Sequence, residues 1–188
     1  METPNALGFL SPLPSVVSRF SGRLLVCGSA RCLWDDLARV PAGRGYEVMA
    51  INFAGLFLPR RLNHWVSLHG VLFDSLRGGR SYMQRHIDKR AAPYLTHALN
   101  PRPSVDHCWK DTVGQDSGLY GVRIALMLGY EEVLLAGMPV DGTGHFYEDP
   151  RVQHIGFESR PQWERLSRVF AGRVKSLSGW TRELFAVQ

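Results

Sequence analysis

Apolar and polar positions along the chain change period repeatedly, and each change marks an element. "RLLVCG", starting at Arg23, is a short apolar run that stops on Gly28, the pattern of a strand buried on both faces. In "RCLWDDLARV", Leu33, Leu37 and Val40 recur at helical spacing until "PAGRG" breaks the run. "YEVMAIN" predicts a second strand, "FAGLFL" a short helix or turn stopped by Pro59, and "LNHWVSLHG" a third strand. A helix over "SYMQRHIDKRAAPYL" must end before Pro93, because the residue ahead of a proline is pushed out of the helical region. The next stretch, "THALNPRPSVDHCWKDTVGQ", is broken by prolines and offers one strand, at "VDHCW". Alternation then resumes with a helix over Gly118 to Leu128 and a strand over Glu132 to Ala136. A helix in "RPQWERLSRVFAG", a strand in "RVKSLSG" and a helix in "WTRELFAV" close the chain.

Strand and helix take turns with no repeat and no linker. That pattern predicts one α/β domain over residues 23–188, a mostly parallel sheet with helices on both faces. Residues 1–22, interrupted by prolines, are expected to form a loosely ordered N-terminal arm packed across the domain edge. In open sheets of this class ligands bind beyond the carboxyl ends of the strands. The loops that begin at Gly28, Asn52, His69 and Gly137 are therefore where function is expected.

Composition narrows the classes. A length of 188 residues suits one well-filled core, and 45% apolar with 21% charged residues is the balance of a soluble globular protein. The net charge of +5 favours anionic small molecules. No run of five basic residues occurs, so a nucleic-acid surface is not expected. Cys27, Cys32 and Cys108 are odd in number and lack CxxC spacing, which argues against a disulfide framework and a structural zinc. The first twenty residues have neither a basic start nor a long apolar core, so a cytoplasmic protein with no membrane span is expected. A homo-oligomer is compatible with all of this.

Four loops and one helix start carry the candidate chemistry. In "CGSARCLWDDL", Gly28 and Ser29 form either a phosphate cradle at a helix start or a plain strand-to-helix turn. Asn52 ends the second strand, where its amide can meet a base edge or ribose hydroxyl, or cap the next helix. In "HWVSLHG" alternation sends His64 and His69 to opposite faces, against a shared metal, and puts His69 at the strand end as a candidate imidazole. "DSGLYGVRIA" opens a helix in which Asp116 or Ser117 can cap, while Gly118, Gly121 and Ala125 leave one side nearly bare. Tight packing accounts for Gly121 and Ala125, whereas Ser117 and Gly118 at the mouth suit an anionic or hydroxylated ligand.

The loop "MPVDGTGHFYEDPRVQHIG" is the most crowded, with Asp141, His145, Tyr147, Glu148, Asp149 and His154. Ordered loops of this length are often functional lids. His145 and His154 are the candidate general bases, since imidazole exchanges protons near neutral pH. Asp141 and Asp149 do not form a DxD-like cluster, so no bound metal is expected.

These stretches resemble the bacterial sialyltransferase-like group, Rossmann-like enzymes that use a CMP-activated sugar. "SGLYGVRIALMLGYEEVLLAGMPVDGTGHFYED" is similar to that family's Ser-Gly segment, "VCGSARCLWDDL" to its Gly-Asn-Gly-Pro-Ser turn, and "MAINFAGLF" to its strand ending in Asn. The resemblance implies nucleotide contacts at Gly28, Ser29, Asn52, Ser117, Gly118 and Tyr147, a nucleotide or nucleotide-sugar as substrate, and no cofactor. The turn departs from the family at Ser29 and Ala30, and in "HIGFES" Phe157 stands where the family has its catalytic histidine, leaving His145 or His154 as substitutes. The layout is also similar to the archaeal pterin pyrophosphokinase-like group, which moves a diphosphate from ATP; that reading needs a divalent cation on Asp141, Glu148 or Asp149. "LNHWVSLHG" and "RVKSLSGWTRELF" resemble small bacterial and phage proteins, a resemblance that implies no activity. A non-catalytic adaptor that keeps the fold is the third reading, supported by Phe157.

Overall fold

A computed structural model of the chain describes residues 3–87, 93–114, 116–151, 156–170 and 172–186. Apolar strand runs and amphipathic helices alternate as β1 (Arg23–Cys27), α1 (Leu33–Arg39), β2 (Glu47–Ile51), α2 (Ala54–Phe57), β3 (His64–Val66) and α3 (Val71–Ile87). They continue as β4 (Leu95–Ala98), β5 (His107–Cys108), α4 (Ser117–Leu128), β6 (Glu132–Ala136), a 3-10 turn (Gly156–Ser159), α5 (Arg160–Phe170), β7 (Val174–Ser176) and α6 (Gly179–Ala186). Among the described residues the strands form one sheet in the order β5-β4-β3-β2-β1-β6-β7, and every pairing is parallel. The fold is a Rossmann-like α/β domain.

Strand alternation divides the core into two layers. Leu24 and Val26 join Met49, Ile51, Val133 and Leu135 under α4, α5 and α6. Leu25 and Cys27 join Val48, Ala50, Trp65, Leu134 and Ala136 under α1, α2 and α3. Helix α4 is buried almost throughout, and a helix apolar on every side needs cover on every side. The N-terminal segment supplies it. Phe9 is fully buried, Leu7 and Val16 nearly so, and the backbone is tied by Leu10 N donating to Lys110 O and Thr112 N donating to Gly8 O. Rather than lying loosely on an edge, this segment puts Leu7, Phe9 and Val16 into the core. A buried ion pair of Arg123 with Asp111, 2.6 Å apart, completes the joint, with Arg123 Nε also donating to Leu7 O.

Three elements differ from the sequence expectation. Strand β4 was concealed by its polar residues: Thr96 and His97 are fully buried but satisfied, Thr96 by Asp106 and Ser104, His97 by His64 and Trp109. Helix α3 begins at Val71, ten residues before Ser81, because Gly78 and Gly79 in mid-helix interrupt the apolar period without ending it. Strand β3 is also shorter than "LNHWVSLHG" suggests.

The strand order fixes where a ligand can enter. From β1 the chain steps outward to β5, then α4 carries it back to β6 on the other flank of β1. The helices that follow β1 and β6, α1 and α5, pack on opposite faces of the sheet, and a crevice opens at the carboxyl ends between them.

Candidate functional site

At that switch point lies a cleft of about 320 Å³. It is lined by Gly28, Ser29, Asn52, Ser117, Gly118 and His145 of the sequence candidates, together with Asp141. Turns separated by more than a hundred residues in sequence thus converge on one rim. Tyr147 sits one step outside, its ring stacked on His145 at 5.1 Å between centroids. His69 is at the carboxyl end of β3 but is exposed and does not line the cleft. His154 lies outside the described residues.

The turn after β1 resolves one open alternative. Gly28 N donates to Ala136 O, Ala30 N to Gly137 O, Arg31 N to Gly144 O, and Leu33 N to Ala30 O. A phosphate cradle needs such donors free; these are occupied by protein carbonyls. Gly28 is required by packing instead, since a Cβ there would come 2.3 Å from Met138 Cγ and 2.4 Å from Gly137 O. Gly28 and Ser29 line the cleft in a tight turn whose N–H groups at Gly28, Ala30, Arg31 and Leu33 are already held by protein carbonyls.

Asn52 resolves the other way. Its side chain does not cap α2, whose start has no side-chain cap. Its backbone is held at φ +48° by Asn52 N donating to Val66 O and Trp65 Nε1 donating to Asn52 O at 2.7 Å. Asparagine tolerates that left-handed region better than most residues. The amide oxygen Oδ1 is buried and has no protein partner, a condition that costs on the order of 1–3 kcal/mol. Asn52 itself is part of the cleft lining, so an unsatisfied acceptor lies in its wall.

Helix α4 supplies donors. Asp116 is its cap: Oδ1 accepts from Leu119 N at 2.8 Å, and Oδ2 accepts from Trp163 Nε1 at 3.2 Å. The two N–H groups ahead of Leu119, those of Ser117 and Gly118, are left by that geometry at the cleft end of the helix, where the macrodipole favours an anion. Trp163 of α5 lines the cleft as well and holds the cap in place.

The loop after β6 is stitched down. Residues 144–146 run antiparallel to residues 29–31 through an Ala30–His145 bridge, with Phe146 N donating to Ser29 O at 2.9 Å. This fixes His145, whose Nδ1 is hydrogen-bonded to Ser29 Oγ at 2.9 Å. Burial pushes the Tyr147 phenol above its ordinary value, partly offset by a hydrogen bond from Ser29. His145, Ser29 and Tyr147 therefore form one connected group, with His145 Nε2 on the other side of the ring. Beneath the loop Asp36, fully buried, accepts from Gly137 N at 2.8 Å and from Ser178 Oγ at 2.7 Å. It ties the turn after β6 to the turn after β7. Sequence reading missed Asp36, since only the bare "DD" in α1 marks it.

The carboxylates that a metal would need are not gathered. Asp141 lines the cleft, with Oδ1 accepting from Thr143 N. Asp149 is instead paired with Arg151 at 2.6 Å, and neither it nor Glu148 lines the cleft. Among the described residues no group of three or more His, Cys, Asp or Glu could hold an ion. Phe157 stands 48% exposed with the Arg160 guanidinium 4.6 Å over its ring. No helix among the described residues is long and apolar enough to cross a membrane.

No family model matches the chain, and no curated protein matches it in sequence. The fold is similar to a solved structure of the sialyltransferase CstII from Campylobacter jejuni, determined in complex with a substrate analogue, cytidine-5′-monophosphate. The similarity covers 84% of this chain and 80% of that one, with a TM-score of 0.57 and 14% sequence identity. The chain has a sialyltransferase-like fold.

Proposed function

We propose that the protein binds a pyrimidine nucleotide or nucleotide-sugar in this cleft and transfers the sugar to an acceptor hydroxyl. The observation that carries the reading is Asn52, a buried acceptor without a partner beside the donor end of α4. An orphaned carbonyl calls for a ligand N–H or O–H, as the exocyclic amine of cytosine or a ribose hydroxyl provides. The N–H groups of Ser117 and Gly118 then take the phosphate. His145 acts as base through Nε2 while Nδ1–H donates to Ser29 Oγ, whose own proton goes to Tyr147 Oη. In the transfer step the acceptor proton moves to Nε2 and a bond forms from the acceptor oxygen to the anomeric carbon. The bond from that carbon to the phosphate oxygen breaks, its electron pair leaving with the nucleotide. Positioning and stabilisation of the leaving phosphate supply most of the rate, and the base adds roughly 10²–10⁴-fold. Because the fold hosts many activities, the site and not the likeness supports this reading.

Phe157 favours a second reading, a nucleotide-binding protein without transferase chemistry, since the resemblance puts a catalytic histidine at that position. Calorimetry with CMP, CDP, UDP and ATP tests the first part of the proposal. CMP is expected to saturate, and Asn52→Gly, which removes the amide yet accepts the positive φ, is expected to weaken it by about fivefold or more. No saturable binding to any of the four ends the proposal. Release of free sugar from a CMP-sugar, lost in His145→Ala, separates catalyst from binder.

A further inference from the structure

Beside the cleft the chain exposes aromatic surface that the nucleotide reading does not use. Trp34 of α1, Phe57 of α2 and Tyr147 are 41%, 38% and 38% exposed, half of the six large exposed hydrophobic side chains among the described residues. They belong to one cluster. Phe146 is the hub, with ring centroids 5.3 Å from Trp34, 5.4 Å from Phe57 and 5.4 Å from Tyr147. Phe53 extends it at 4.9 Å from Tyr147. The cluster has an internal reason to be ordered, because Phe146 is anchored by its N–H on Ser29 O. It has none to be exposed, since two helices and a loop bring rings together and leave their outer surfaces in water.

Position and size both bear on the occupant. The shelf runs directly into the candidate base, because Tyr147 stacks on His145 with only 13° between the planes. Its three exposed rings present roughly 200–300 Å², taking Phe, Tyr and Trp at about 150–250 Å² each. A stable protein interface needs about 800 Å² per partner, so this surface fits one small ring system rather than a protein or a second copy. The negative π-faces of such rings attract polarised C–H bonds, and a pyranose offers a face of C–H bonds with hydroxyls around its edge. We propose that the Trp34–Phe57–Tyr147 shelf is the acceptor subsite, holding a pyranoside by stacking with one hydroxyl turned to His145.

This rests on the transferase reading, and the test keeps the two apart. Saturation-transfer NMR with methyl β-galactopyranoside, whose one face carries three C–H bonds, reads the shelf. Calorimetry with CMP reads the cleft. Wild type is expected to transfer saturation to the C–H face of the sugar. Trp34→Ala and Phe57→Ala are each expected to weaken sugar binding by about threefold to tenfold, with Trp34→Phe recovering most of it. CMP affinity should stay within about twofold in all of them, which also reports that the variants are folded. Sugar binding that is absent from wild type, or survives both alanine substitutions, overturns the shelf. So does a wild-type dimer in sedimentation that Trp34→Ala dissociates. Sugar binding without CMP binding supports the shelf and removes the nucleotide reading alone.

Discussion

Lowering the pH should destabilise this protein through a buried histidine pair on β3 and β4, neither of which lines the cleft. His64 Nδ1 is 3.0 Å from His97 Nε2, His64 Nε2 is 2.8 Å from Tyr130 Oη, and Trp109 Nε1 donates to His97 Nδ1 at 3.0 Å. The tautomers follow from these contacts. Indole can only donate, so His97 accepts at Nδ1, carries its proton on Nε2 and donates to His64 Nδ1. His64 then donates from Nε2 to Tyr130, whose hydroxyl donates to Glu47. Every hydrogen points the same way, and both rings are neutral. A second proton on His64 would set an N–H against the N–H of His97.

Burial, with repulsion from His107, lowers His64 from 6.5 to about 4, and burial likewise lowers His97, with repulsion from His64 and His107. A base with a depressed native pKa stabilises the fold fully above its unfolded value and loses that stability as pH falls from about 6.5 through about 4. At about 1.4 kcal/mol per unit, His64 alone accounts for about 3 kcal/mol over that window, a large share of the 5–15 kcal/mol of a typical domain. The control is His64→Gln, whose amide can accept from His97 and donate to Tyr130 without titrating. Urea unfolding should show both proteins losing stability in acid, with the wild type falling about 2 kcal/mol further between pH 7 and 4.5. Parallel curves for the two proteins, or a His64 ring that titrates near 6.5 by nitrogen NMR, would refute the reasoning.

Three further outcomes follow from the site and the core. Asp36→Ala leaves Gly137 N–H and Ser178 Oγ without their acceptor in a buried place, so a loss of about 2–4 kcal/mol is expected by urea unfolding, together with weaker CMP binding. Gly28→Ala drives a Cβ against Gly137 O at 2.4 Å, a backbone atom that cannot swing away, and should cost about 2 kcal/mol or more by thermal unfolding. Phe9→Ala empties a fully buried site against Trp109, Tyr120 and the Arg123 guanidinium, for an expected loss of about 3–5 kcal/mol; a loss under about 1 kcal/mol would show the arm to be peripheral after all.

The sequence was legible where the physics is local. Parallel strands β1, β2 and β6 are continuous apolar runs and stood out at once. A cap at Asp116 or Ser117 is legible from position alone, and the structure selects Asp116. Strand β4 was not legible, because burying His97 and Thr96 is tolerable only with partners brought from β3 and from residues 104–109, which no local window contains. The same holds at the site. Loop 139–151 is visibly rich in functional groups, yet whether its histidine is held or loose depends on Ser29, more than a hundred residues away. The aromatic shelf was invisible for a related reason: Trp34 and Phe57 look like ordinary helix positions until two helices and a loop gather them around the half-buried Phe146 with their outer faces exposed.

The two flanks of the cleft reach order by different routes, and that difference bears on how a charged ligand would be recognised. On the β1 side the turn's N–H groups already serve the backbone after β6, and Asp36 fixes that backbone from below. This flank is a rigid wall with a histidine set into it and most of its backbone donors already taken. On the α4 side Asp116 satisfies Leu119 N and leaves the first two N–H groups of the helix at the cleft. Selectivity for a phosphate would then come from a fixed helix dipole, not from the excess of arginines that gives the chain its +5 charge. Oriented backbone donors in a partly enclosed cleft are screened by salt far less than mobile surface cations. CMP affinity measured from low to physiological salt should accordingly change by only about twofold to threefold. A steep decline would place the phosphate on the surface arginines and remove α4 from the site.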